Sequence, residues 1–208
     1  MFKLKLLTDP RWANIAEGNL EEILTDHAWC EQKATTNAIT LITMLPEYPE
    51  IITELLKIAV EELEHFQMVH EIIKKRGYEF GRERKDDYVG QLLKFIRNND
   101  TRDNRIIDRM LFAAMIEARS CERFKVLTEN IKDEELKVFY KELMISEANH
   151  YTTFIGFARQ LGDPEIVNKR WEEWLDYEAE IIKVHQGIAS CNGTTRKYTI
   201  DELIPCAK

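Results

Sequence analysis

The sequence has 208 residues, of which 44% are hydrophobic and 32% are charged, and this composition fits one globular domain with a sizeable core. The net charge of −8 argues against non-specific polyanion binding but leaves room for a local basic patch. With only 8 glycines and 5 prolines, a turn-rich β architecture is disfavoured.

No apolar run approaches the roughly 20 residues that span a membrane. The N-terminal segment "MFKLKLLTDPRW" lacks the apolar core and the cleavage site of a signal peptide. We therefore expect a cytoplasmic protein. The 4 cysteines are widely spaced without a CxxC motif, which disfavours a zinc ribbon or a rubredoxin-like centre, and we expect reduced thiols.

Apolar residues recur every three or four positions through most of the chain, a pattern that predicts helices. The first long helix begins near Asn19, where Asn19 and Glu22 resemble a capping box, and it ends at Pro46. The second begins near Pro49 and ends at Gly77. Because the loop between them is short, we expect these two helices to be antiparallel neighbours.

Residues 77–101 interrupt this rhythm, although "YVGQLLKFIR" predicts a short helix there. A third long helix follows. Asp133 is the predicted N-cap of a fourth, and Asp163-Pro164 opens a fifth with proline at its favoured first position. The tail from about Gly187 is predicted to be irregular.

Each of the first four long helices carries a glutamate in the middle of its apolar stripe. On the second and fourth helices it belongs to a Glu-x-x-His motif, Glu62 with His65 and Glu147 with His150. A spacing of three places the carboxylate and the imidazole on one helix face.

The first and third helices carry single glutamates at the corresponding places. Glu31 lies among small residues such as Ala34, and Glu117 follows Ala113 by one turn. Glu122 is the rival on the third helix, but its neighbours one turn away form a weaker inward face, so Glu117 is favoured.

Ionised carboxylates buried in a core cost several kcal/mol each unless they are compensated. Two divalent cations cancel four such charges, and this ligand pattern is that of ferritin-like di-iron and di-manganese bundles. Iron is favoured for an oxygen-using role. The predicted ligands are Glu31, Glu62, His65, Glu117, Glu147 and His150. The alternative is that these are surface acids on helices phased wrongly.

The predicted fold is therefore all-α: a ferritin-like four-helix bundle with a long crossover between helices 2 and 3 and an extra C-terminal helix. We expect a single domain over residues 1–208, with the core bundle at about 19–161 and the C-terminal helix at about 164–186.

The stretch "KKRGYEFGRERK" concentrates positive charge in this acidic chain. Its cations are Lys74, Lys75, Arg76, Arg82, Arg84 and Lys85. One interpretation is a solvated helix end, where cations are ordinary. The other is a phosphate-contacting patch in which Tyr78 and Phe80 stack on unpaired bases.

Four segments, "HAWCEQKA", "EELEHF", "EARSCERF" and "EANHYTTF", resemble in this order the bacterial tRNA hydroxylase family that acts on 2-methylthio-N6-isopentenyladenosine beside the anticodon. The similarity covers nearly the whole chain, and "EARSCERF" is its most distinctive piece. The resemblance implies a non-haem di-iron monooxygenase that hydroxylates the isopentenyl group of tRNA, with two iron ions held by the same six ligands and O₂ as co-substrate.

The sequence contains no flavin or iron–sulfur motif, so two electrons must come from an external reductase or a ferredoxin-type partner. Cys121, one turn beyond Glu117, is a hypothetical contributor on the oxygen-binding side. The principal alternative function is a ferritin-like ferroxidase or peroxidase that binds no RNA. We expect a monomer or dimer rather than a storage shell.

Overall fold

The structure, a computed structural model, describes residues 2–185. These residues form seven α-helices and no strand. The helices are α1 (Trp12–Gly18), α2 (Leu20–Met44), α3 (Pro49–Lys75), α4 (Asp87–Leu92), α5 (Arg102–Asn130), α6 (Glu134–Leu161) and α7 (Pro164–His185), with a short 3-10 turn, Leu93–Phe95, after α4. The all-helical prediction is confirmed, as are the long crossover between α3 and α5 and the additional helix α7.

The structure does not describe the C-terminal tail, so two predictions about it stay untested. The irregular tail from Gly187, with Cys191 and Cys206, lies outside the described residues, and so does the last predicted position of the C-terminal helix. Among the described helices, none combines the length and the apolar character that crossing a bilayer requires.

The starts of α6 and α7 follow directly from their capping residues. The Leu136 amide donates a hydrogen bond of 3.0 Å to the Asp133 carboxylate, and the Glu165 amide donates one of 2.8 Å to Asp163. These bonds satisfy donors that a helix start leaves without an intrahelical partner. Both predicted starts are confirmed.

The start of α2 differs from the predicted capping box. Asn19 is the N-cap residue, but its side chain forms no capping hydrogen bond. Its backbone (φ −137°, ψ 39°) still belongs to the turn that ends α1, since its amide donates to the Ala16 carbonyl at 3.1 Å. The extended conformation that lets an N-cap side chain reach its own helix is therefore not available. Helix α1, with 7 residues, is too short to give a periodic signal and was not predicted.

The described chain divides into two compact units. The hairpin unit is residues 16–85, in which α2 and α3 pack against each other. The main unit is residues 2–15 with 86–185, in which α5 packs against α6 and α7 contacts both. That all of these residues form a single domain stays a prediction.

In the hairpin unit, the segment after α3 returns along α2. The Trp29 indole donates a hydrogen bond of 3.0 Å to the Gly81 carbonyl, and the Phe80 ring stacks on Trp29 with 5.0 Å between centroids. Arg84 binds Asp26, with 3.0 Å from Nε to Oδ1. We call residues 78–85 the return segment, because these contacts fasten it to α2.

In the main unit, α5 is the central helix. Every residue from 110 to 124 is buried, so both faces of the helix are covered by protein. A helix that is buried all round has no exposed face to contrast with its apolar stripe, so the stripe distinguishes its polar residues only weakly. On α5 the neighbours one turn away favoured Glu117, but they gave no sign of the other buried polar side chains.

A buried carboxylate fastens the crossover and α7 to α5. Asp108, which is fully buried, accepts hydrogen bonds of 2.9 Å from Nε of both Arg97 and Arg170. Arg170 also donates to the Phe95 carbonyl, and its guanidinium lies 4.1 Å from the centre of the Phe95 ring. Burial opposes ionisation, but the hydrogen bonds from Arg170 and Arg97 hold the pKa of Asp108 below its ordinary value.

Replacing Asp108 with asparagine removes the charge that balances both arginines. We expect the free energy of unfolding in urea to fall by about 3 kcal/mol, because breaking a buried ion pair leaves an uncompensated charge. The control is Asp103→Asn on the same helix, where the side chain is 72% exposed. The control should change stability by less than about 0.5 kcal/mol.

The loss of stability in Asp108→Asn, relative to wild type, is expected to depend on pH. Since the pKa of Asp108 is lowered in the folded chain, its contribution is complete above the unfolded carboxyl pKa of about 4 and is lost as pH falls through the folded value. The stability difference between wild type and Asp108→Asn should be constant near neutral pH and shrink in acid. A difference that stays the same in strong acid contradicts this assignment.

Candidate metal centre

In the hairpin unit, two carboxylates and an imidazole converge. Glu31 comes from α2, and Glu62 and His65 come from consecutive turns of α3. Both glutamates are fully buried. His65 Nδ1 lies 3.7 Å from Oε2 of Glu31 and 3.6 Å from Oε2 of Glu62, and one donor atom from each of the three residues falls within 4.8 Å of the others. We call these residues the hairpin triad.

The main unit contains a second triad of the same composition. Glu117 comes from α5, and Glu147 and His150 come from α6, one helical turn apart. All three are buried, and one donor atom from each lies within 4.8 Å of the others. We call these residues the main triad.

The donor chemistry of each triad fits a divalent transition metal. Carboxylate oxygens and a neutral imidazole nitrogen are the ligands that iron and manganese accept in proteins. Two buried carboxylates carry two negative charges, and leaving these uncompensated in a water-excluded interior is expensive. One divalent cation in each triad cancels that charge, so each triad fits one metal ion.

The rival glutamate on α5 has a different environment. Glu122 accepts a hydrogen bond of 2.8 Å from the Thr8 amide, one of 2.6 Å from the Thr8 hydroxyl and one of 2.9 Å from Arg119. Its charge is therefore balanced within a hydrogen-bond network of the main unit. The structure places Glu117, and not Glu122, with Glu147 and His150.

Arg119 is the centre of this network and was missed in the sequence. It is fully buried and donates to Glu178 on α7 at 2.8 Å and to the Leu6 carbonyl at 2.9 Å, besides Glu122. The Tyr88 hydroxyl also donates to Glu178, at 3.1 Å. Burial opposes the charge, but the carboxylates of Glu178 and Glu122 keep the pKa of Arg119 above its ordinary value. The two arginines of "EARSCERF" gave no signal because α5 has no exposed face there.

Cys121 lies on α5 and contacts α6. Its thiol donates to the Met144 carbonyl on α6 at 3.1 Å. Burial, together with the nearby charges of Glu147 and Glu117, raises the pKa of Cys121 to about 12. The group is therefore a neutral thiol at physiological pH. As a thiol it can donate the hydrogen bond that links α5 to α6. A contribution on the oxygen-binding side stays a prediction.

Comparisons with known proteins identify the family. The family model described as tRNA-(MS[2]IO[6]A)-hydroxylase (MiaE) matches residues 2–188. The chain belongs to this family. A protein of Pseudomonas putida (strain KT2440) named tRNA 2-(methylsulfanyl)-N(6)-isopentenyladenosine(37) hydroxylase is 32% identical over 188 residues, which cover 87% of this chain and 90% of that protein. A Salmonella typhimurium protein of the same name is 33% identical over 133 residues, covering 64% of this chain and 48% of that protein.

A solved structure supports the fold. Protein 43 with aldehyde deformylating oxygenase activity, from Synechococcus, aligns with a TM-score of 0.81 and 29% identity, covering 97% of this chain and 93% of that chain. The predictions of a ferritin-like fold and of an enzyme in the tRNA hydroxylase family are confirmed by these matches.

The basic stretch of this MiaE-family chain is only partly available to a partner. Lys74, Lys75, Arg82 and Lys85 are exposed, whereas Arg76 and Arg84 are half-buried. Arg84 forms an ion pair with Asp26 of α2. The Phe80 ring is half-buried and stacks on Trp29, and the stacking of Tyr78 and Phe80 on unpaired bases stays a prediction.

Two neighbouring glutamates of α5 allow a matched test of the main triad. We expect Glu117→Gln to weaken Fe²⁺ binding at least about tenfold, because a ligand charge is lost. Glu122→Gln should leave the affinity for Fe²⁺ unchanged and lower the thermal stability instead, since it breaks the bond to Arg119. Anaerobic equilibrium dialysis and thermal melts measure both properties. Equal loss of iron affinity in the two variants contradicts the assignment of Glu117.

Proposed function

We propose that the chain hydroxylates the isopentenyl group of 2-methylthio-N6-isopentenyladenosine in tRNA, with O₂ as the oxidant. Family membership supports the substrate. The observation that carries the proposal for the chemistry is the presence of a buried carboxylate–imidazole triad in each unit. Hydroxylation of an allylic methyl group with O₂ needs a redox-active cofactor, because amino-acid side chains do not activate O₂, and metal ions held by the triads would be that cofactor.

We infer that the hairpin triad holds one iron ion and that the main triad holds a second. Two helices contribute single glutamates and two contribute Glu-x-x-His, the ligand pattern of ferritin-like di-iron proteins. When bound, the iron pair supplies reductive activation of O₂.

The protein contributes two things to the activation of O₂: it neutralises the charge of the metal ions and it excludes bulk water from the site. Four glutamates balance two divalent ions, and the two imidazoles bind as neutral ligands. The unbroken burial of α5 around Glu117 keeps bulk water away from the main triad. Exclusion of water prevents side reactions of reactive oxygen intermediates.

The overall reaction fixes what must be delivered from outside. One oxygen atom of O₂ enters the product as a hydroxyl group, and the other leaves as water after taking up two electrons and two protons. The sequence has no flavin or iron–sulfur motif, so we propose an external reductase or a ferredoxin-type donor. A tRNA substrate places the reaction in the cytoplasm.

The rival function is a ferroxidase or peroxidase that uses the same ligands without RNA. Similar carboxylate–imidazole sites support several reactions, so the ligands do not discriminate between them. Membership of a tRNA hydroxylase family over residues 2–188 favours hydroxylation.

The decisive experiment combines reduced, iron-loaded protein with ¹⁸O₂ and isopentenylated tRNA, followed by mass analysis of the nucleosides. We expect the modified nucleoside to gain one ¹⁸O atom. The Glu62→Gln/Glu147→Gln variant is the control and should give no product, because each triad has lost one ligand charge. Oxidation of Fe²⁺ or consumption of peroxide without any labelled nucleoside favours the rival function.

We propose that the exposed cations of the basic stretch contact tRNA phosphates. Lys74 lies at the end of α3, and Arg82 and Lys85 lie on the return segment. The attachment of this segment to α2 through Trp29 holds the backbone that carries these two cations. A backbone fixed in this way loses less conformational entropy when the segment binds tRNA.

Neutralising these cations tests the contact. We expect Arg82→Gln/Lys85→Gln to raise the KM for tRNA several-fold and to reduce its salt dependence, because fewer counterions are released. Activity on the isolated nucleoside should be unchanged. Lys57→Gln, on an exposed turn of α3, is the control. Equal effects of the double variant on tRNA and on nucleoside count against docking at the return segment.

A further inference from the structure

A second histidine of the hairpin unit touches the predicted ligand Glu31. His27 lies one helical turn before Glu31 on α2 and is 2% exposed. Its Nε2 lies 2.7 Å from Oε1 of Glu31. An ionised carboxylate can only accept a hydrogen bond, so the Nε2–H of His27 is the donor.

The two oxygens of Glu31 therefore face different groups. Oε1 accepts the short hydrogen bond from His27, whereas Oε2 lies on the side of His65, 3.7 Å from its Nδ1. His65 is itself a member of the hairpin triad. Oε2 is thus the oxygen of Glu31 that approaches His65, whereas Oε1 is engaged by His27.

We propose that His27 is a positioning residue that holds Glu31 as a one-oxygen ligand of the hairpin triad. This inference rests on the proposed metal centre. A hydrogen bond of this length competes with the use of Oε1 as a second metal-binding atom, and it fixes the plane of the carboxylate before the metal arrives. Partners of this kind orient ligands and typically contribute 10–100-fold in metal affinity.

In the main unit, the position one helical turn before the single glutamate is occupied by a different kind of residue. The residue one turn before Glu117 is Ala113, which is buried and has no side-chain donor. The two triads thus share their ligand types but not the imidazole that orients the single glutamate. The inference therefore makes the two metal positions unequal, with the hairpin triad as the one that depends on His27.

The test is a titration of apo-protein with Co²⁺, followed by visible absorption, which reports ligand geometry independently of turnover. We expect wild type to bind two ions, and His27→Phe to bind one of them as tightly and the other about 10–100-fold more weakly. His27→Gln, whose amide can donate to Oε1, should restore most of the lost affinity. His70→Phe, at an exposed histidine of α3, is the control and should resemble wild type.

Thermal melts of the apo-proteins separate a structural role from a positioning role. A residue that only fills the core would let His27→Phe keep its metal affinity, and that result overturns the inference. If His27→Phe does not fold, His27→Asn replaces it, because its amide is too short to reach Oε1. His27→Asn should then bind one ion weakly where His27→Gln does not.

The outcomes distinguish this inference from the proposed function. Two unchanged Co²⁺ sites in His27→Phe overturn the role of His27 alone. Equal weakening of both sites also overturns it, since His27 belongs to one triad. Intact Co²⁺ binding without hydroxylation of tRNA overturns only the reaction, and wild-type protein that binds no Co²⁺ overturns the metal centre and this inference together.

Discussion

The stability of this fold depends on how the negative charges of its buried carboxylates are compensated. Four glutamates that belong to the triads are almost completely buried, and none of them could be dehydrated as an isolated anion without a cost of several kcal/mol. In the proposed metal centre, divalent cations offset this cost and the buried carboxylates serve as their ligands. The requirement explains why imidazoles accompany the carboxylates at one-turn spacing, since a neutral donor adds coordination without adding charge.

Helix α5 shows two solutions to the same electrostatic problem. Glu117 belongs to the main triad, whose charge the proposed metal ion would balance, while the charge of Glu122 is balanced by Arg119. Arg119 in turn joins α5 to Glu178 of α7 and to the N-terminal segment. A helix held on one side by fixed ion pairs cannot rotate freely, so the direction of Glu117 is determined before any metal binds.

Much of the fold and the ligand set could be predicted because polar residues interrupted apolar stripes. Glu62 and His65 were recognisable since α3 has an exposed face to contrast with its buried one. The same contrast is absent on α5, and Arg119 was missed for that reason. Contacts between distant segments also escaped prediction, since nothing in the sequence links the Phe80 ring to Trp29, on which it stacks.

The difference between the two triads bears on how the centre works. The halves repeat the same ligands on the same helical pattern, yet His27 accompanies Glu31 where Ala113 precedes Glu117. A carboxylate oriented by a hydrogen bond is suited to hold a metal in one geometry. Ala113 cannot supply such a hydrogen bond, so a change at His27 is expected to alter the metal position of the hairpin triad and to leave that of the main triad as it is.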